Sequence, residues 1–397
     1  MTVRNNDREP FIHLTKRAPL PKYAGLLIRA GAFVFAVLFC AIIVWIMIGV
    51  DPLTFLKTMF TGAFGIQKLE NAKNFNSFWR IFTSSYFWTT VKTGCKLLLL
   101  AVALAPAFKM KFWNIGAEGQ FLAGAISATY IMFNYPGLNP VVLLILMLVV
   151  SIISGAIWGL LPALFKAKFN TNETLFTLMM NYIAIKIVDF FFNKWRGVKS
   201  ALGIINIESE AGWIRSLWKG GGSAWYKNED LIFIITVAII AVLMYYYLRL
   251  TKHGYEIAVV GDSQNTAKYA GISVKKVIIR TMALSGALCG LCGFLCVSGQ
   301  SHTVNSNLAG GYGFTAIIVA WLSKFNTFTM MGVSLLIVAL ENGSALMSNT
   351  YNDLGFSIAF GKITVGVMLL FVIGCEFFIN YKVVFRSRKT QKEAVEA

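Results

Sequence analysis

The chain has 397 residues, of which 57% are hydrophobic and 14% are charged, and its formal net charge at pH 7 is +18. This apolar composition excludes an ordinary soluble domain and indicates a protein that crosses a membrane several times. Loops that face anionic headgroups account for the positive charge, and no basic domain stands apart to indicate nucleic-acid binding.

Apolar segments long enough to cross about 30 Å of hydrocarbon as helices follow one another along the chain. We predict an all-α polytopic membrane protein with about ten transmembrane helices, at residues 26–50, 86–108, 113–133, 140–165, 172–192, 230–249, 277–299, 312–323, 326–347 and 357–381. The eighth segment is short and flanked by glycine, so we expect it to be re-entrant or tightly kinked. Merging it with the ninth would leave nine spans.

Lys and Arg residues set the predicted orientation. They are concentrated in 1–29, 249–280 and 382–397, which share one side of the membrane if there are ten crossings. An excess of basic residues marks the cytoplasmic side, so both termini are predicted to be cytoplasmic. The domains are then a cytoplasmic segment over 1–25, one transmembrane domain over 26–381 and a basic tail over 382–397.

Two loops, 51–85 and 193–229, are assigned to the outer side. Each is too short to bury a core of its own, so neither is expected to be a separate domain. The second loop is rich in tryptophan. Its indole rings are expected to anchor at the membrane interface, with contact to an external partner as the alternative.

The first polar cluster inside the spans is FWNIGAEGQFLAG, residues 112–124, with Asn114, Glu118 and Gln120 between glycines. Polar groups at membrane depth are expensive and are therefore functional candidates. Dense glycine permits a broken helix whose backbone lines a polar cavity, or close contact between helices. Hydrogen bonding that fixes helix packing is the alternative role.

The second cluster is NETLFTLMMNYIAI, residues 172–185. Asn172 is expected to cap a helix, with Glu173 in its first turn, where a negative charge suits the helix dipole. Thr177 and Asn181 then fall on one helix face. A third cluster, GGYGFTAIIVAWL, brings Tyr312 to the mouth of the short eighth span. Together the three clusters favour a translocation path.

Charged residues inside the spans keep a second function class open. Lys186 and Asp189 are three residues apart and predict a local ion pair, and Lys92 can reach the outer surface, whereas Lys96 is deeper and has no evident role. A proton- or sodium-coupled carrier could use in-span carboxylates as its coupling site. The candidates for that alternative are Glu118, Glu341 and Glu376.

Three cysteines, Cys289, Cys292 and Cys296, lie on one face of an apolar helix that is full of glycine and alanine. Small residues on one face let membrane helices approach closely, so we expect close packing here. A metal site is the alternative. No His or carboxylate lies nearby in sequence to complete one.

The most informative polar segment is RLTKHGYEIAVVGDSQNTAKYAGISVKKVIIR, residues 249–280, of which 250–276 lie outside the membrane in our reading. It contains one predicted short helix, 265–270, stopped by Gly271 because glycine takes left-handed backbone angles at little cost. We expect the segment to face water and a partner. The chain has no G-x-x-x-x-G-K-[ST] phosphate loop and no G-x-S-x-G elbow, so we do not expect it to be an enzyme or to hydrolyse ATP itself.

Four motifs occur here in one order: FWNIGAEGQFLAGA, TNETLFTLMMNYIA, GDSQNTAKYAGISVKK followed by LSGALCGLCGFL, and GYGFTAIIVAWL. Together they resemble the permease subunits of bacterial ABC importers in the branched-chain-amino-acid, ribose and nucleoside family. The similarity covers roughly residues 25–385. It is greatest to the simple-sugar and nucleoside branch, which works with basic-membrane-protein-type lipoproteins.

The resemblance implies a coupling helix in the pattern AA-x-YAGI, with Thr266 here where the family usually has Ala. That helix would dock on a separate ATPase subunit that binds the ATP, so no cofactor is expected on this chain. The residues implied in this coupling are Gly261, Asp262, Asn265, Ala267, Tyr269, Ala270, Gly271 and Ile272. We expect Gly271→Pro or Ala267→Glu to uncouple transport from hydrolysis without preventing membrane insertion.

The resemblance further implies a second permease subunit, identical or different, and an extracytoplasmic lipoprotein that delivers a small-molecule substrate. The site would be the bacterial cytoplasmic (inner) membrane, and the substrate a nucleoside or, alternatively, a simple sugar. Candidate residues of the substrate path are Asn114, Glu118, Gln120, Glu173, Thr177, Asn181 and Tyr312. We expect Asn181→Leu to weaken transport while ATPase association persists.

Overall fold

The computed structural model describes residues 12–16, 22–65, 84–198, 202–218 and 229–385. The predictions for the rest of the terminal segments, and for the outer loops over 66–83, 199–201 and 219–228, lie outside the described residues. The side chain of Glu376 is also outside the description.

The described chain is almost entirely helical. The α-helices are α1 (Lys22–Ile48), α2 (Pro52–Phe64), α3 (Ser85–Lys109), α4 (Ala117–Asn134), α5 (Pro140–Phe169), α6 (Glu173–Arg196), α7 (Glu229–Leu250), α8 (Lys252–Asp262), α9 (Gln264–Tyr269), α10 (Val274–Cys296), α11 (Tyr312–Leu322), α12 (Thr327–Thr350) and α13 (Ile358–Asn380). A 3₁₀ turn spans Ile214–Trp218, a second spans Asn352–Leu354, and a π-helical turn, Val297–Ser301, continues α10. Two strands, β1 (Ile12–Lys16) and β2 (Tyr381–Phe385), pair antiparallel.

Every predicted span coincides with a helix, and seven helices in the described residues are long and apolar enough to cross a membrane. This confirms an all-α polytopic membrane protein at the level of class. The predicted count of about ten crossings and the cytoplasmic orientation of both ends stay predictions.

The eighth and ninth predicted spans form two separate helices, α11 and α12. The turn between them carries Lys324 and Phe325 at φ of +49° and +60°, in the left-handed region that interrupts a helix. With 11 residues, α11 reaches about 16 Å at roughly 1.5 Å per residue, near half the hydrocarbon thickness. Its shortness agrees with the expectation of a re-entrant or kinked segment.

Two helices and a strand pair were not predicted. Helix α2 lies in a segment read as a loop, although Asp51 accepts hydrogen bonds from the amides of Leu53 and Thr54, Pro52 opens the helix and Gly65 ends it at φ +74°. These are ordinary capping signals. The pairing of β1 with β2 depends on contacts far apart in the chain, which local patterns do not predict.

The chain forms two compact units, one of residues 1–87 and 339–397 and the other of residues 88–338. In the first unit, α1 packs on α13, where the Cys40 thiol donates to the carbonyl of Thr364. Helix α2 lies so close to α12 that a Cβ at Gly62 would be 2.8 Å from the Cα of Gly343. The single transmembrane domain predicted over 26–381 stays a prediction.

The core of the second unit is the trio α4, α5 and α10. Glycine makes their contact possible: a Cβ at Gly124 would lie 2.4 Å from the Cα of Gly290, and one at Gly155 would lie 2.3 Å from the carbonyl oxygen of Gly286. Cys289 and Cys292, on the same helix as Gly286 and Gly290, are fully buried. The predicted close packing of the small-residue face of α10 is confirmed.

Candidate functional site

The N-terminal end of α4 holds a buried polar cluster, which we call the α4 network (Asn114, Glu118, Gln120, Thr177 and Asn181). Asn114 is fully buried in the loop before the helix. Its side-chain oxygen, Oδ1, accepts from the backbone amide of Gly116 at 3.0 Å and from the side-chain amide of Gln120 at 3.2 Å. Its own side-chain amide donates to the hydroxyl of Ser285 on α10 at 3.2 Å. Asn114 therefore provides a hydrogen-bond partner for the Gly116 backbone amide of its own loop and links α4 to α10.

Helix α6 supplies the next two members. Asn172 caps it as predicted, accepting from the amides of Thr174 and Leu175. Five and nine residues further on, the Thr177 hydroxyl accepts from the amide of Ile115 at 3.2 Å, and Asn181 bridges α4. The side-chain oxygen of Asn181, Oδ1, accepts from the backbone amide of Gly119 at 2.8 Å. Its side-chain nitrogen, Nδ2, donates to the backbone carbonyl of Ile115 at 2.9 Å.

Glu118 joins the start of α4 to the start of α11. Its carboxylate is 6% exposed and accepts from the backbone amides of Gly311 at 2.9 Å and Gly313 at 2.8 Å. Those amides open α11, so the negative charge also lies at the positive end of the helix dipole. A Cβ at Gly313 would lie 2.5 Å from the amide nitrogen of Glu118, so glycine is needed for this approach.

Lys96, for which the sequence indicated no role, bonds to the segment before α11. Its ammonium group donates to the carbonyl of Leu308 at 2.6 Å. The same nitrogen lies 5.0 Å from the ring centroid of Tyr312 and 5.2 Å from that of Phe121, within cation–π range. Two buried side chains of opposite charge, Lys96 and Glu118, are thus hydrogen-bonded to the backbone of one stretch of six residues, 308–313.

The structure brings five of the seven predicted path residues together and uses their hydrogen bonds to join helices. This matches the alternative role stated for these clusters, the fixing of helix packing. Tyr312 borders the α4 network and remains half-buried, whereas the Glu173 carboxylate pairs with Lys166 at 2.8 Å. The predicted ion pair of Lys186 with Asp189 is present at 3.3 Å, and Lys92 pairs with Asp230 at 3.0 Å.

The polar segment after α7 folds as two short helices, not the single one predicted. Thr251 caps α8 by accepting from the amide of Gly254, a signal that the sequence reading missed. A Cβ at Gly261 would lie 2.1 Å from the carbonyl oxygen of Lys109, so α8 is pressed against the end of α3. The expectation that the segment faces water and a partner is therefore wrong for the buried face of α8, which carries Ile257, Val260 and Gly261.

The short helix α9 stands where it was predicted. Ser263 accepts from the amide of Thr266 at its start, and Gly271 follows its end at φ +76°. Ala267 is fully buried, whereas Tyr269 is 93% exposed. The remaining residues implied in coupling divide the same way: Gly261 is buried, Ile272 is half-buried, and exposed are Asp262, Asn265, Ala270 and Gly271.

The described part of the loop after α6, residues 202–218, packs at the C-terminal end of α4, where the side-chain amide of Asn206 donates to the carbonyl of Met132. Trp213 is buried and stacks on His302 with ring centroids 3.9 Å apart, and its indole donates to the carbonyl of Ile205. Burial lowers the pKa of His302 to about 4, so the ring is neutral at neutral pH. Trp213 therefore packs inside the protein, and the roles expected for the tryptophans of this loop as a group stay predictions.

A helical membrane bundle with a polar, glycine-rich centre and a short exposed helix outside its long spans has the features of a membrane transport protein. The family described as "Branched-chain amino acid transport system / permease component" matches residues 86–373, and the chain belongs to this family. It is thus a permease component of the ABC importer type, a transport subunit. Partners that supply ATP hydrolysis and bind substrate follow from that membership.

Several curated relatives are similar over most of their length. The nucleoside ABC transporter permease protein NupB of Lactococcus lactis is 28% identical over 95% of this chain and 99% of its own. The glucose ABC transporter permease protein TsgB13 of Haloferax volcanii is 28% identical over 85% and 90%, and the guanosine ABC transporter permease protein NupP of Bacillus subtilis is 28% identical over 76% and 85%. No solved structure matches the chain.

Proposed function

We propose that the chain is the permease of an ATP-driven importer of nucleosides in the bacterial cytoplasmic membrane. The observation that carries the proposal is the end-to-end similarity to a nucleoside permease, over 95% of this chain and 99% of the relative. A guanosine permease among the relatives supports the same substrate class. A simple sugar is the second candidate, because a glucose permease is equally similar at 28% identity.

The ATPase is a separate subunit, and α9 is its docking site. Tyr269 supports this because a tyrosine side chain that is 93% exposed is available for an interface, where tyrosine is enriched. ATP would close the ATPase pair, move α9 and shift the permease between inward-facing and outward-facing states. Such a two-state change needs ATP to favour one state through its contacts.

The substrate would reach the permease on an extracytoplasmic lipoprotein and pass between this chain and a second permease subunit. We place the path beside the α4 network, whose hydrogen-bonded members position the helices. Tyr312 and Glu173 keep part of their surface open and can contact substrate. An aromatic wall with a few polar anchors suits a nucleoside. The antiparallel pairing of β1 with β2 supports a common side for both ends of the chain.

The test is purification of the tagged chain in mild detergent from its native membrane, with identification of the proteins that accompany it. We expect an ATPase and a second permease. The purified complex is then reconstituted with its binding protein and given labelled guanosine, uridine or glucose. ATP-dependent uptake of the nucleosides supports the proposal, and uptake of glucose alone transfers it to sugars. A chain that transports alone, driven by an ion gradient, contradicts it.

A further inference from the structure

His253 lies where three helices meet outside the α4 network. It is in the first turn of α8 and half-buried, and its ring bonds in two directions. Nδ1 is hydrogen-bonded to the hydroxyl of Tyr247 on α7, and Nε2 lies 3.4 Å from the hydroxyl of Thr281 on α10. A hydroxyl can donate or accept, so a neutral imidazole satisfies both partners in either tautomer.

The surroundings of His253 allow little independent movement. Thr251 caps α8 and also donates to the carbonyl of Tyr247 at 2.7 Å. A Cβ at Gly254 would lie 2.5 Å from that same carbonyl oxygen, so the corner between α7 and α8 is tightly closed. At the other end of α8, Ser263 alone separates it from α9. A single residue therefore joins α9 to the helix that carries His253.

Helix α10 continues this line of contacts into the core. Thr281 and Ser285 are both fully buried and lie four residues apart, on one face of the helix. Ser285 accepts the side-chain amide of Asn114 at 3.2 Å, and Asn114 accepts from Gln120 at 3.2 Å. Hydrogen bonds at Thr281 and Ser285, one turn of α10 apart, therefore link α8 with the loop before α4.

We propose that His253 is a positioning residue that couples movement of α9 to the α4 network through Thr281 and Ser285. The proposal rests on the proposed function, because α9 must move with an ATPase for anything to be transmitted. The ring converts a shift of α8 into a shift of α10, and α10 passes it to Asn114. Burial lowers the pKa of His253, which keeps the ring in its neutral form.

The test compares purified importer complexes that carry Thr281→Val, Thr281→Ser or Tyr247→Phe. Valine keeps the shape of threonine and removes its hydroxyl, whereas serine keeps the hydroxyl. Tyr246→Phe is the matched control, since Tyr246 is 53% exposed on the same helix as Tyr247. For each complex the number of labelled nucleosides imported per ATP hydrolysed is measured, together with ATPase association and thermal stability.

We expect Thr281→Val and Tyr247→Phe to lower import per ATP by about fivefold or more, the lower end of typical coupling between sites. Thr281→Ser and Tyr246→Phe should match the original chain. Combining Thr281→Val with Tyr247→Phe should add little to the larger single effect, because both act through one ring.

Unchanged import per ATP in both Thr281→Val and Tyr247→Phe would overturn the proposal. So would a loss of assembly in Thr281→Val that Thr281→Ser avoids, because the hydroxyl would then serve folding alone. Failure of the unaltered chain to bind any ATPase would be a different result, since it would remove the proposed function itself.

Discussion

The start of α4 and the α8–α9 segment use polar residues in opposite ways. At the start of α4, side chains such as Asn114 and Asn181 are buried and hydrogen-bonded to neighbouring helices. In α9, Ala267 is buried, whereas Tyr269 is almost fully exposed. The polar groups at the start of α4 join helices to one another, whereas α9 leaves side chains exposed to a partner.

The difference teaches that a polar residue in an apolar chain has a role set by what surrounds it. Both regions were selected from the sequence for the same reason, polar groups among hydrophobic ones. Substitutions in the α4 network should therefore act mainly on the stability of the folded chain. Substitutions on the exposed face of α9 should act on assembly and transport and leave stability unchanged.

The largest effect on stability is expected from removing one of the two buried charges that hold residues 308–313. Glu118→Gln removes the charge that accepts from the amides of Gly311 and Gly313, and Lys96→Met removes the donor to the Leu308 carbonyl. Each lost hydrogen bond to a charged group typically costs about 1.5–3 kcal/mol. Because both side chains hold residues 308–313, the double variant should lose less stability than the sum of the two single losses. Thermal unfolding of the purified protein in detergent measures all three, with Glu208→Gln at an exposed position of the loop after α6 as the control.

If the two single effects simply add in the double variant, Lys96 and Glu118 act independently. The description of one segment held by two opposite charges would then be wrong.

A smaller loss of stability is expected for Asn181→Leu. The substitution removes the partners of the Gly119 amide and the Ile115 carbonyl, and each unsatisfied buried group costs about 1–3 kcal/mol. Tyr182→Leu is the control, because Tyr182 is the next residue and is 58% exposed. The comparison of their unfolding temperatures decides the role. Equal temperatures would return Asn181 to the substrate path, where we first placed it.

Substitutions in the turn after α9 should lower stability still less than Asn181→Leu. Gly271 has φ +76° and nothing within 4 Å of an added Cβ, so Gly271→Ala meets backbone strain without a clash. The left-handed conformation costs a non-glycine residue about 1–2 kcal/mol. Gly271→Asn should be milder, because asparagine tolerates this conformation. Proteolysis of the segment in membranes ranks the variants, and Asn cut faster than Ala would contradict the explanation.

No measurable effect on stability is expected for Tyr269→Ala, although import should be lost. The ring is 93% exposed, so its removal leaves the fold intact and removes surface from the proposed ATPase contact. Ala267→Glu, chosen from the sequence for the same purpose, also puts a charge into a buried position and so confuses docking with folding. Uptake and thermal unfolding of the Tyr269 variant separate the two, and normal uptake would exclude this contact.

Much of the fold was predictable because membrane helices are long apolar runs with local stop signals. Asn172 correctly predicted the start of α6, and Gly271 correctly predicted the end of α9. The signals for α2 and α8, at Asp51 and Thr251, are equally local and could have been used. The strand pair of residues 12–16 with 381–385 could not have been predicted this way, because its partners are far apart in sequence.

The candidate site was only half predictable. The sequence singled out Asn114, Glu118, Thr177 and Asn181 as polar groups in apolar segments. It could not say that their hydrogen bonds join separate parts of the chain. Lys96 had no sequence explanation, since its partner, the Leu308 carbonyl, is a backbone group more than two hundred residues away. Burial and tertiary hydrogen bonds decide such roles, and neither can be predicted from the spacing of residues along the chain.

The most direct test of the central claim is site-specific photo-crosslinking of the importer in native membranes. A photoreactive amino acid replaces Tyr269 in one variant and Tyr246, an exposed position on the long helix α7, in another. The account predicts a crosslink from position 269 to an ATPase subunit and none from position 246. A functional importer in which position 269 crosslinks to no ATPase, or position 246 does so instead, would contradict it.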